Sequence, residues 1–174
     1  MSRDFGPASW WGLFGVLAML LNAVVRLTPK ALEALAMELG WAQLVGLGLW
    51  VGFMLYTEGY RGFHLRFSPM VVARAETLAG SAPLHHKLLA PVYCMGLFHA
   101  TRRRLVLSWG LISMIICLVM AIRFLDQPWR GLIDAGVVAG LAAGTASIGW
   151  WALVSGDELV SPELPVAEVP SREA

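Results

Sequence analysis

Apolar runs alternate with short polar breaks along this chain, and four of the runs are long enough for helices that cross a bilayer. A crossing takes about 20 mostly apolar residues, because the hydrocarbon layer is about 30 Å thick and a helix rises 1.5 Å per residue. The predicted spans are residues 10–27, 41–57, 105–125 and 131–154. Asn22 interrupts the first and Arg26 closes it, Arg123 lies near the end of the third, and Asp134 falls in the first turn of the fourth. Charge therefore sits near span ends, where it costs least. Trp10, Trp11, Trp41, Trp129, Trp150 and Trp151 gather at the same ends, as interfacial anchors do. The pattern predicts an all-α, polytopic membrane domain over residues 1–154 with four transmembrane helices.

The segments between the spans are read from their punctuation. Thr28-Pro29 and Ser68-Pro69 each pair a capping hydroxyl with a proline, which predicts two short helices starting there along the membrane surface. Residues 88–100 (LLAPVYCMGLFHA) carry no charge but are too few to cross. They read as an interfacial helix or as an extension of the third span. The tail, residues 155–174, is acidic, proline-rich and without periodicity, the composition of a disordered segment.

Charge sets the expected direction. The loop of residues 58–104 carries Arg61, Arg66, Arg74, Lys87, Arg102, Arg103 and Arg104, far more than either other loop. Basic loops stay cytoplasmic, so both termini are expected inside a bacterial inner membrane. No cleavable signal pattern precedes the first span, which is expected to persist as a signal anchor. The composition agrees, at 57% hydrophobic and 14% charged, against about one quarter charged in ordinary globular proteins. A net charge of +1 argues against a nucleic-acid partner. Cys94 and Cys117 lie in apolar segments without C-x-x-C spacing and read as free thiols.

Chemistry, if present, concentrates after the second span, in EGYRGFHLRFSP (residues 58–69). Glu58 and Arg61 stand three apart and can pair where a helix leaves the bilayer. Read functionally, Glu58 is a proton acceptor or metal ligand, and Glu58, His64 and His99 are the candidate catalytic residues. His64, His85, His86 and His99 are candidate metal ligands, since imidazole and carboxylate both bind transition metals. No spacing puts two of them on one helical face, however, so neither a metal nor another cofactor is predicted. Arg102, Arg103 and Arg104 are candidates for contact with lipid headgroups or phosphate. Helix packing is assigned to Gly48 and Gly52 in the second span and to Gly136, Gly140 and Gly144 in the fourth.

Residues 58–75 (EGYRGFHLRFSPMVVARA), 88–110 (LLAPVYCMGLFHATRRRLVLSWG) and 127–140 (QPWRGLIDAGVVAG) resemble a group of small bacterial and cyanobacterial membrane proteins. The resemblance implies a four-helix membrane fold and transfers no activity. The expected role is a non-enzymatic accessory or assembly function, binding the lipid bilayer and another membrane protein or a second copy. The alternative is an enzyme or redox protein at the cytoplasmic interface, built from Glu58, His64, His86 and His99. A subunit of an oligomeric transporter is the third reading.

Overall fold

The computed structural model describes residues 5–79, 84–97 and 119–154, with isolated positions between 106 and 117. Every element among them is a helix. In chain order they are α1 (Pro7–Leu35), α2 (Trp41–Met54), a π-helical segment (Leu55–Phe67), α3 (Ser68–Thr77), α4 (Leu84–Leu88), α5 (Ala90–Cys94) and α6 (Trp129–Val154). The third predicted span and the 155–174 tail lie largely or wholly outside the described residues.

Two helices, α1 and α6, are long and apolar enough to cross a membrane. They pack antiparallel, with Gly131 of α6 against Lys30 and Ala34 near the end of α1, and with Ile148 beside Leu13 and Val16 near its start. That arrangement puts Trp10, Trp11, Trp150 and Trp151 at one end of the pair and Trp129 at the other. From Trp129 to Trp151 the axis runs about 33 Å, close to the thickness of a hydrocarbon layer. Only 22% of the apolar window of each helix is buried inside the chain. Trp41, Leu49, Val25 and Leu153 are among many large apolar side chains left exposed.

The second predicted span differs from expectation. The span was expected to end at Thr57, with the helix continuing only far enough for Glu58 and Arg61 to pair before the 58–104 loop. Instead α2 passes into the π-helical segment and then into α3 with helical backbone at Met54, Leu55, Phe67 and Ser68. This run of residues 41–77 lies parallel to α6: Trp50 meets Gly136, Glu58 meets Gly140, Gly59 meets Ala143, and Phe63 meets Gly144. Polar side chains did not end it because small residues of α6 let its backbone come close, and packing outweighs the local signal.

Both proline expectations also change. Pro29 lies inside the unbroken α1, and Thr28 Oγ1 bonds back to the Val24 carbonyl at 2.7 Å instead of capping a new helix. Ser68 does begin α3, but α3 is no surface helix. Ser68 and every residue from Met70 to Ala75 are buried, enclosed by α1, α5 and α6. Met70, Val71, Val72 and Ala75 join Leu13, Val16, Leu78, Ala90, Cys94 and Ile148 in the apolar core, at the end marked by the four tryptophans. The short helices expected within the loop are present as α4 and α5. Gly12 and Gly15 of α1 admit α5, the first against the Cys94 sulfur and Ala90, the second against the Pro91 ring.

Candidate functional site

The π-helical segment positions Glu58 and His64, and its backbone explains how. In i→i+5 pairing the Ser68 N–H bonds the Phe63 carbonyl. The next donor would come from residue 69, but proline has no N–H. The His64 carbonyl is therefore left without a donor from its own helix. Trp151 of α6 supplies one, its indole N–H donating to that oxygen at 2.9 Å. A backbone group deprived of its helical partner by Pro69 is thus satisfied across the interface, as a buried carbonyl must be.

The His64 ring is held as firmly as its backbone. Nδ1 lies 3.0 Å from Ser147 Oγ. The ring stacks on Tyr60 at 5.8 Å and 17° and tilts against Trp151 at 5.9 Å. Tyr56 extends the stack to Tyr60 at 6.3 Å. Among the described residues nothing hydrogen-bonds Nε2. Beside this ring an open cleft of about 450 Å³ runs between the π-helical segment and α6.

Glu58 sits six residues earlier, with its Cβ packed over Gly140, midway along α6. Its carboxylate is exposed and turns along the helix toward Gly62. The expected Glu58–Arg61 ion pair is not among the salt bridges of the described residues. The wider π-helical turn takes residues three apart out of the register that an α-helix gives them.

The other candidates gather elsewhere. His86 stacks on Tyr93 at 4.9 Å. The buried Arg74 guanidinium lies over the same tyrosine ring, 5.2 Å from its centre, and donates to the Tyr93 carbonyl at 3.0 Å. Thr77 Oγ1 donates to the Arg74 carbonyl at 2.7 Å and stands 3.3 Å from the Tyr93 hydroxyl. Arg74 thus fastens α3 to α5, combining a hydrogen bond with a cation–π contact. Burial pushes the neighbouring Cys94 thiol up to about 12, with Arg74 pulling it slightly back, so no reactive thiolate forms at neutral pH. The His85 side chain, His99, Arg102, Arg103 and Arg104 lie outside the described residues.

This arrangement limits the chemistry. Among the described residues no group of three His, Cys, Asp or Glu side chains converges as a metal site. His64 and Ser147 have the spacing of a base and a nucleophile, yet Ser147 lies within α6. Backbone N–H groups there are committed to the helix, so no donor pair faces an oxyanion. The contact with Ser147 orients the imidazole.

The glycines divide into two sets. Gly136, Gly140 and Gly144 are covered by Trp50 and Met54, by Glu58, and by Phe63, all from the same chain. Among the described residues, nothing lies within 4 Å of where a Cβ on Gly46, Gly48 or Gly52 would stand. Sequence reasoning missed Ser147 and Trp151 as the partners of His64 and Trp50 as a donor to the Ile133 carbonyl at 3.1 Å. The signal was present: Ser147 continues the small-residue stripe that receives the second helix. No protein-family model, curated protein or solved structure matches this chain.

Proposed function

We propose that this chain is a four-span inner-membrane protein with cytoplasmic termini and a non-enzymatic role, docking a helix of another membrane protein on the open face of α2. The spans are α1, α2 with the π-helical segment, the apolar run of residues 105–125, and α6. The observation that carries the role is the division of the glycines. None of the residues of α2 is buried, and Gly46, Gly48 and Gly52 stand open while every glycine at the seam with α6 is filled. In lipid, where apolar surface gives helices no reason to associate, close approach through small residues supplies the attraction. Glu58 supports the same reading. A carboxylate exposed midway along a spanning helix is costly in lipid, and a partner chain lowers that cost.

The enzyme reading has less support, because His64 and His86 are engaged by different neighbours on different elements. The test is native mass spectrometry of the protein released from its own membranes, wild type beside a Gly48→Leu/Gly52→Leu double variant. Wild type should carry another membrane protein at fixed stoichiometry. The variant should lose it while its stability stays within about 0.5 kcal/mol, as for substitutions that touch nothing in the fold. A bare wild-type chain, or a partner retained by the variant, would contradict the proposal.

A further inference from the structure

From its lining, we infer that the cleft between the π-helical segment and α6 is a binding site for a neutral, planar, lipid-soluble carbonyl compound of the quinone class. Its volume of about 450 Å³ lies in the range of small-molecule sites. At its bottom the two helices approach closely, for Gly59 is buried and a Cβ added there would stand 3.0 Å from the Ala143 methyl. Tyr60 and Trp150 form the rim, 51% and 58% exposed, and offer aromatic faces to whatever enters. A slot with a small-residue bottom and aromatic edges suits a flat ring better than a branched or spherical group.

The polar chemistry narrows the class. Among the described residues no lysine, arginine, aspartate or glutamate lines the cleft, so an anionic phosphate headgroup meets no counter-charge from them. One group needs a partner: Nε2 of His64, which the described residues leave without a hydrogen bond. When the Ser147 hydroxyl donates to Nδ1, the neutral ring carries its proton on Nε2 and offers it outward. A neutral flat molecule answers with a carbonyl oxygen. A saturated acyl chain would fill the volume and leave that donor unanswered. The cleft opens on the flank of two helices dressed in exposed apolar residues, so its ligand arrives from the lipid and needs no aqueous entrance. The inference depends on α6 lying in a bilayer and is independent of any partner on α2.

The experiment titrates the full-length protein in lipid nanodiscs with ubiquinone-1 and follows tryptophan fluorescence, which Trp150 and Trp151 report. Wild type should quench saturably. His64→Leu should weaken binding about tenfold, the loss of one hydrogen bond in a dry site. Ala146→Phe, which fills the cleft from its exposed side, should remove the saturable component. An alkylbenzene of matching size without a carbonyl should fail to compete. Linear, unsaturable quenching equal in all three proteins would overturn the inference and leave the cleft to ordinary acyl chains. So would saturable binding that is unchanged in His64→Leu.

Discussion

Gly131→Ala is expected to cost about 3 kcal/mol of stability, at the upper end of what overpacking one site costs. Gly131 is where α6 crosses the end of α1. A methyl group there runs into the Ala34 side chain and the Lys30 carbonyl, and meets Gln127 Oε1 at 2.9 Å. The carbonyl is the decisive obstacle, since backbone cannot swing aside as a side-chain tip can. The same carbonyl accepts from Gln127 Nε2 at 3.2 Å, while the Gly131 N–H donates to Gln127 Oε1 at 3.1 Å. Pushing α1 and α6 apart therefore also breaks a glutamine clamp that joins them. Gly149→Ala on the same helix is the control, because nothing lies within 4 Å of that position. It should be neutral or stabilise by up to about 1 kcal/mol, the helix-propensity gain of alanine over glycine. Thermal unfolding of the three proteins in one detergent, followed by circular dichroism, gives the comparison.

Gly144→Leu should do comparable damage at the other seam, about 2–3 kcal/mol. Its side chain would enter the Phe63 ring at Cγ and both Cδ atoms. Those atoms are the root of the ring, so rotation about the side chain clears little. Phe63 is also held edge-on against Phe67 at 5.3 Å. The π-helical segment must move as a body, and His64 moves with it away from Ser147. Gly149→Leu provides the matched control at an open site. Equal unfolding midpoints for Gly144→Leu and Gly149→Leu would mean that the segment is not seated on α6.

Much of this was legible in the chain. Residue hydropathy marks α1 and α6, tryptophans mark their ends, and the four-residue spacing of Gly136, Gly140 and Gly144 marks the face that receives the second helix. What was not legible follows from two local signals that tertiary packing overrides. The charges from Glu58 to Arg66 mark the end of the apolar run, but hydropathy counts side chains and does not see that the helix goes on against the small residues of α6. Thr28-Pro29 and Ser68-Pro69 read as helix starts, because a proline's missing N–H is cheapest in a first turn. In the folded chain both prolines sit within continuous helical runs, and at Pro69 the cost is met by Trp151, 82 residues away in sequence. No periodicity carries that pairing, nor the π-helical register that creates the need for it. The site suffered likewise: His64 was visible as a candidate, but Ser147 and Trp151 become its partners only once the parallel register of the second helix on α6 is known.

The proposed four-span reading makes its sharpest claim at Glu58: the helix from Trp41 continues past Thr57 alongside α6, and the proposal places that carboxylate near mid-bilayer. The direct test is a nitroxide at position 58, introduced as Glu58→Cys with Cys94 and Cys117 replaced by alanine, in protein reconstituted into liposomes. Power-saturation spectroscopy then compares its exposure to oxygen with its exposure to a water-soluble nickel chelate, against a reference label at Lys87. The account predicts high oxygen access, little chelate access and a depth of about 15 Å below the polar boundary, half the hydrocarbon thickness. Chelate access at position 58 equal to that at position 87 would contradict it, and would return this stretch to the membrane surface.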